Sequence, residues 1–176
     1  MEKQILEARD MDRILTRMAY EILERYPDTD RLALVGIHTR GVFLAERLAR
    51  YIYEIADLPV KQGTLDITLY RDDWTRISHH PILRSTNIPF DVDGMDVVLV
   101  DDVLYTGRTT RAGMDALIDF GRPRHVGLAV LVDRGHRELP IHADFVGRRV
   151  ETEKHQTVNV RVVEEDGEDL VLVEVL

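Results

Sequence analysis

The chain has 176 residues, enough for one domain with its own core, and a formal net charge of −9. It has no cysteine, which excludes disulfides, thiolate metal sites and a cysteine nucleophile. No apolar run reaches the roughly 18 residues of a membrane span. The charged start, MEKQILEARD, is unlike a secretion signal, so a cytoplasmic protein is expected. The acidic balance argues against general adhesion to nucleic acid, but 20 of the 23 basic residues are arginine, which leaves a local basic face open.

In chain order, Asp10 is placed to cap a helix running to about Tyr26. Ile14, Leu15, Met18, Ala19, Ile22 and Leu23 form its apolar stripe, and Pro27 lies just past its end. Leu32 to Ile37 is a continuous apolar run of the buried-strand kind. The turn His38-Thr39-Arg40-Gly41 follows, and then a helix carrying Val42, Leu44, Ala45, Leu48, Ala49 and Ile52. Such a turn either binds an anion through Arg40 and backbone N–H groups or is an ordinary connection using glycine for positive φ. On this segment alone both readings stay open. Leu65, Ile67 and Leu69 alternate with Asp66, Thr68 and Tyr70, predicting a half-exposed strand. From Arg71 to Ser85 the pattern dissolves into a long polar loop, in which Arg71, Arg76, His79 and His80 are candidate contacts to an anionic substrate. The adjacent pair His79-His80 lacks metal-ligand spacing.

The turn-rich stretch 87–96 leads into Val97 to Leu117, on which the chain centres. Val97 to Val100 reads as a buried strand, followed by two adjacent carboxylates, Asp101 and Asp102. A turn from Tyr105 to Thr110 then opens a helix with Ala112, Ala116, Leu117 and Phe120 on one side. Free N–H groups at such a turn and helix start point toward an anion, and the helix dipole favours negative charge there. The turn is neither G-x-x-x-x-G-K-[ST] nor G-x-G-x-x-G, which disfavours a triphosphate-hydrolysing loop and a dinucleotide cofactor. It offers one monophosphate nest. The two upstream acids would repel that anion unless they face ribose hydroxyls or a hydrated Mg²⁺. A sugar phosphate with vicinal hydroxyls is therefore the implied ligand.

Gly121 and Pro123 end this helix. Val126 to Val132 is another apolar strand, running into Asp133 to Pro140, and Ala143 to Gly147 is a short strand. Thr157 to Val163, a turn at Asp166-Gly167 and Leu170 to Leu176 predict a C-terminal antiparallel hairpin. Strands alternating with helices imply an α/β domain with a mostly parallel sheet covered on both faces. Ligands in such sheets sit at the carboxyl ends of the strands. Residues 38–41, 101–110 and 133–140 all fall there.

Residues 97–110, VVLVDDVLYTGRTT, resemble the phosphoribosyl pyrophosphate signature of the type I phosphoribosyltransferases. Segments 34–41 (LVGIHTRG), 66–73 (DITLYRDD), 131–140 (LVDRGHRELP) and 143–147 (ADFVG) resemble one branch more particularly. That branch combines pyrimidine-operon attenuation with uracil phosphoribosyltransferase activity. The resemblance implies the type I phosphoribosyltransferase fold as a single domain over residues 1–176. A central sheet is flanked by helices, with a hood formed by the N-terminal segment and residues 133–155, a flexible lid at about 71–85 and a C-terminal hairpin.

The resemblance also implies roles. Asp101 and Asp102 would bind the ribose hydroxyls and Mg²⁺, directly or through water, and with Arg40 and Arg71 would form the catalytic group. Thr39, Arg40 and Gly41 would bind pyrophosphate, in a loop that in this superfamily often carries a non-proline cis peptide. Tyr105, Thr106, Gly107, Arg108, Thr109 and Thr110 would hold the 5′-phosphate. Asp133, Arg134, Phe145 and Val146 would bind the base. Purine-specific relatives carry an acid where Tyr105 stands, so no carboxylate general base is expected. Operon messenger RNA would be bound through Thr16, Arg17 and Arg25 on the first helix and Arg134, His136, Arg137 and Arg149 beyond the hood strand. Tyr20, Glu151 and Glu153 depart from the regulators' pattern. Expected partners are phosphoribosyl pyrophosphate, uracil, UMP or UTP and a second copy, as homodimer or homotetramer. The alternatives are an RNA-binding nucleotide sensor with little catalysis, or transfer to another base.

Overall fold

The computed structural model describes residues 2–73 and 84–176. Five parallel strands form the central sheet: β2 (Leu32–Ile37), β3 (Lys61–Leu65), β4 (Asp96–Leu104), β5 (His125–Asp133) and β6 (Phe145–Arg149). Their order is β3-β2-β4-β5-β6, and every neighbouring pair is parallel. Helices α1 (Ala8–Arg25) and α2 (Arg40–Ala56) cover one face, and α3 (Arg108–Ile118) covers the other.

The apolar runs are continuous because each strand is buried on both sides. Leu34, Val98, Val100 and Leu131 pack under α1 and α2, while Val35, Val97, Leu99 and Val130 pack under α3. Each such side chain contributes about 1.5–3 kcal/mol by leaving water. The order of strand connection reverses between the parallel strands β2 and β4: β2 connects through α2 to β3 on one side, and β4 connects through α3 to β5 on the other. The crevice at this switch point is where an open α/β sheet binds ligands.

A second sheet is antiparallel, in the order β1 (Glu2–Glu7), β8 (Leu170–Val175), β7 (Gln156–Arg161). The expected hairpin is present, but its connection is a helical turn, α4 (Val163–Asp166), ended by Gly167 at φ +81°. The N-terminal residues extend it to three strands. No helix among the described residues is long and apolar enough to cross a membrane.

Four local expectations are corrected. Helix α1 starts before Asp10. Glu7 is the cap, and Asp10 closes a reciprocal capping box by accepting the Glu7 N–H at 3.0 Å. Of the alternating residues 65–70 only Leu65, the last of β3, is in a strand, because the Asp66 carboxylate takes the Thr68 N–H at 2.9 Å and hydroxyl at 2.6 Å, bending the chain into a 3₁₀ turn at Thr68–Tyr70. Strand β4 continues through Asp101 and Asp102 to Leu104 and does not end at Val100. Phe120 lies beyond α3 and is exposed.

Candidate active site

The first turn of α2 is packed directly onto two strands. A Cβ on Gly36 would lie 2.4 Å from Val42 Cα, and one on Gly41 would lie 2.4 Å from the Val100 carbonyl oxygen. Only glycine at both places lets the 38–41 turn approach β4 beside Asp101. The His38–Thr39 peptide is cis, as expected for this loop. On the far side of the crevice, Gly107 adopts φ +92° and opens α3. The Thr106 hydroxyl accepts the Arg108 N–H at 3.3 Å. The N–H groups of Gly107, Thr109 and Thr110 precede the first helical acceptor, the position at which a helix start can bind an anion.

Between these turns lies a cavity of about 340 Å³. Thr39, Arg40, Arg71, Asp101, Asp102 and Thr109 all line it, so the structure brings together residues from four separate segments. Tyr105 to Arg108 continue from its rim as the β4–α3 turn. His38, Asp66 and Arg84 also line the cavity, beyond the residues expected from the sequence. The Asp66 carboxyl is pushed up by burial, but hydrogen bonds from Thr68 and Arg84 outweigh this and hold it below its usual value. Arg76, His79 and His80 lie outside the described residues.

Asp101 is buried, and burial followed by repulsion from Asp102 pushes its carboxyl well above the usual range. Its Oδ1 accepts the Asp102 N–H at 2.9 Å, and Asp102 Oδ1 accepts the Val103 N–H at 2.7 Å. Neither acid forms an ion pair with a described basic side chain. Two neighbouring oxygen donors without a counter-cation fit Mg²⁺, which takes one or two carboxylates and completes its shell with water and substrate oxygens. Three arginines of the site are paired with acids. Arg40 donates to Asp166, Arg71 to Asp73 at 3.0 Å, and Arg108 to Asp72 at 2.8 Å and Glu138 at 3.1 Å.

The 133–141 loop is drawn over Tyr105. Arg137 donates to both Asp133 oxygens, to the Ile141 carbonyl and to the Tyr105 carbonyl, all at 2.8 Å. Arg134 is 5% exposed, donates to Thr152, Glu153 and Gln156, and lies 3.9 Å over the Tyr105 ring. His136 meets that ring edge-on at 6.0 Å. Phe145 is buried at the start of β6, and Val146 is partly exposed beside it. Arg17 donates to the Val146 and Gly147 carbonyls and so ties α1 to β6. Thr16 is half-buried, its hydroxyl bonded to the Asp12 carbonyl, while Arg25, Arg148 and Arg149 are exposed.

A five-stranded parallel sheet with this crevice and paired acids is the phosphoribosyltransferase architecture, and residues 1–165 match the family profile "Phosphoribosyl transferase domain". The chain belongs to that family. Among solved structures, a hypoxanthine phosphoribosyltransferase from Staphylococcus aureus superposes with a TM-score of 0.72 at 18% identity, over 99% of this chain and 92% of that one. One from Trypanosoma cruzi gives 0.73 at 16% identity, over 97% and 95%. These low identities speak to the fold. Sequence narrows the class further. The bifunctional protein PyrR of Thermus aquaticus is 60% identical over 168 residues, 96% of this chain and 93% of that protein. PyrR of Deinococcus radiodurans is 56% identical over 167 residues, 95% and 91%. Within the phosphoribosyltransferases, the chain is a member of the bifunctional PyrR group.

Proposed function

We propose that the protein is a uracil phosphoribosyltransferase that also binds pyrimidine-operon messenger RNA under control of uridine nucleotides, in the cytoplasm. The carrying observation is the single cavity lined by the 38–40 turn, Arg71, Asp101, Asp102 and Thr109. The bond from ribose C1 to pyrophosphate breaks, a bond from C1 to uracil N1 forms, and the N1 proton is lost. Positive charge develops on the ribose and negative charge on the leaving group. Asp101 and Asp102 hold the ribose hydroxyls at the cavity floor. The N–H groups and hydroxyls of residues 105–110 hold the 5′-phosphate, and Thr39, Arg40 and Gly41 hold pyrophosphate. Arg40 and Arg71 stabilise the departing charge. Mg²⁺, when bound at Asp101 and Asp102, adds charge neutralisation for the pyrophosphate.

Tyr105, exposed and braced by Arg134 and His136, supplies no carboxylate base. Uracil is acidic enough for positioning and electrostatics to suffice. Asp133, Arg134, Phe145 and Val146 shape the base pocket, and residues 133–155 with the N-terminal segment act as its hood. The lid expected at about 71–85, of which residues 74–83 lie outside the described residues, would exclude water, which would otherwise capture the electrophile.

The RNA face combines α1 with the β6 edge: Thr16, Arg17 and Arg25 on one side, Arg149 on the other, with Arg134, His136 and Arg137 shaping the loop beside it. Exposed Tyr53 and Leu58 near the end of α2 support a homodimer or homotetramer that covers them. The deciding experiment mixes uracil, phosphoribosyl pyrophosphate and Mg²⁺ with the protein and follows UMP. Turnover with uracil and not with hypoxanthine is expected. Absence of turnover together with tight UMP or UTP binding would establish a sensor that has lost catalysis.

A further inference from the structure

Helix α2 carries two arginines seven residues apart, and both reach the short acidic segment that joins β7 to β8. Arg47, buried, donates to Glu164 and Asp169 through bonds of 2.5 to 3.0 Å. Arg40, one residue into the proposed pyrophosphate loop, donates from Nε and Nη2 to the two oxygens of Asp166 at 3.0 and 2.6 Å. Asp166 is itself fixed, because its Oδ2 also accepts the Val162 N–H at 2.8 Å. The acidic turn is thus fastened to α2 at two points, and one of them is a side chain that lines the cavity.

The backbone around Arg40 has little freedom, since Gly36 and Gly41 put it in contact with β2 and β4. What remains adjustable is the long Arg40 side chain, whose rotamer freedom must be lost before it can hold an anion in one geometry. Asp166 removes that freedom. A guanidinium has five N–H groups. Asp166 takes one at Nε and one at Nη2, while Nη1 has no hydrogen-bond partner among the described residues. A carboxylate gripping one edge of a guanidinium leaves the opposite edge for a second oxyanion.

We propose that Asp166 is a positioning residue for pyrophosphate: it holds Arg40 so that the free edge of the guanidinium faces the diphosphate of the substrate. This inference rests on reading residues 39–41 as the pyrophosphate loop. It opposes a simpler idea, that Asp166 occupies Arg40 as a rival anion and must be displaced. The two differ in sign. Loss of a rival tightens pyrophosphate binding, and loss of a positioning group weakens it.

Calorimetric titration of the full chain in Mg²⁺ buffer, with inorganic pyrophosphate, phosphoribosyl pyrophosphate and UMP as separate probes, tests this without requiring turnover. Asp166→Ala should weaken pyrophosphate binding about tenfold. It should leave UMP affinity unchanged, because UMP carries no pyrophosphate to meet Arg40. In an Arg40→Ala background the same substitution should add nothing further, the sign of two residues acting through one contact. Unchanged or tighter pyrophosphate binding in Asp166→Ala overturns the proposal, as does an equal loss of UMP affinity, which would mark general damage to the fold. A wild-type protein that binds neither pyrophosphate nor phosphoribosyl pyrophosphate would instead remove the reading of residues 39–41, and this proposal with it.

Discussion

Strand β4 has a carboxylate near each end, and the two ends are opposites. At its start Asp96 is 2% exposed, yet it is ion-paired with Arg124 and accepts from His125 Nδ1 at 2.8 Å. Arg124 is the largest influence holding its carboxyl below the usual value, and His125 adds to it. At the other end Asp101 is also buried, but its neighbour is a second acid, and its carboxyl is pushed up. One strand thus places an ion-paired acid at its amino end and, at its carboxyl end, two acids without an ion-pair partner among the described residues. The ion-paired acid joins β4 to the start of β5. Asp101 and Asp102 line the switch-point cavity, where in the proposed reaction a ligand's hydroxyls and a cation complete them. In this molecule, the pairing of an acid separates scaffold from site more clearly than its burial does.

The contrast breaks most visibly at Asp102. Asp102→Asn keeps the acceptor for the Val103 N–H and removes the charge. UMP formation should fall about 100-fold, while the thermal midpoint changes little because no ion pair among the described residues is lost. A variant that melted much earlier with its activity intact would put Asp102 with Asp96, as scaffold.

The same contrast extends to the proposed RNA face. Arg137 has its donors engaged inside the protein, whereas Arg149 is exposed. Both Arg137→Ala and Arg149→Ala should weaken operon RNA binding severalfold. Only Arg149→Ala should flatten the dependence of affinity on salt, by about 0.7 to 0.9 in the log–log slope, because only a free cation releases counterions from phosphate. Filter binding across a salt series separates the two. A flattened slope for Arg137→Ala would show that Arg137 leaves its intramolecular partners to reach RNA.

Much of the central sheet is legible in the sequence. Residues 32–37, 97–100 and 126–132 are uniformly apolar because both of their faces are covered, and glycine and hydroxyl residues at their carboxyl ends mark the anion cradles. The second sheet is harder to read. Glu2–Glu7 carries four polar residues in six, and becomes a strand only because β8 presents an edge to it. The run Leu65 to Tyr70 alternates convincingly, but one local acid, Asp66, captures the backbone two residues on. Nothing in the local sequence links Arg47 to the acidic segment 164–169. Their mutual neutralisation spans 117 residues in one case and 122 in the other, a distance that periodicity does not register. Asp166 reads only as a turn residue, since its bond to Arg40 spans 126 residues.

Stability measurements sharpen the comparison at Asp96. Asp96→Asn should cost about 1 kcal/mol at pH 7, a modest figure because solvent at half-exposed Arg124 screens the pair. An acid whose folded pKa is depressed stabilises above its unfolded value, here 3.8, and loses that contribution as pH falls through the folded value. The gap in urea midpoint between wild type and variant should therefore narrow as pH is taken progressively below 3.8. A constant gap across that range would mean that the hydrogen bonds of Asp96 matter and its charge does not.

Asp101→Asn should behave with the opposite sign. A folded-state pKa raised above the unfolded 3.8 means that the native protein binds more protons than the unfolded chain over the interval between the two values. Stability then falls as pH rises through that interval. Asparagine keeps an oxygen to accept the Asp102 N–H and never acquires a charge, so it escapes that loss. The variant should be the more stable protein at pH 7, and its advantage should vanish as pH is lowered below 3.8, where Asp101 is protonated whether folded or not. The two urea series thus bend in different directions on the two ends of one strand. If Asp101→Asn instead destabilised at pH 7 as Asp96→Asn does, the acid would have a stabilising cation in the resting protein, and the carboxyl end of β4 would need no ligand to balance its charge.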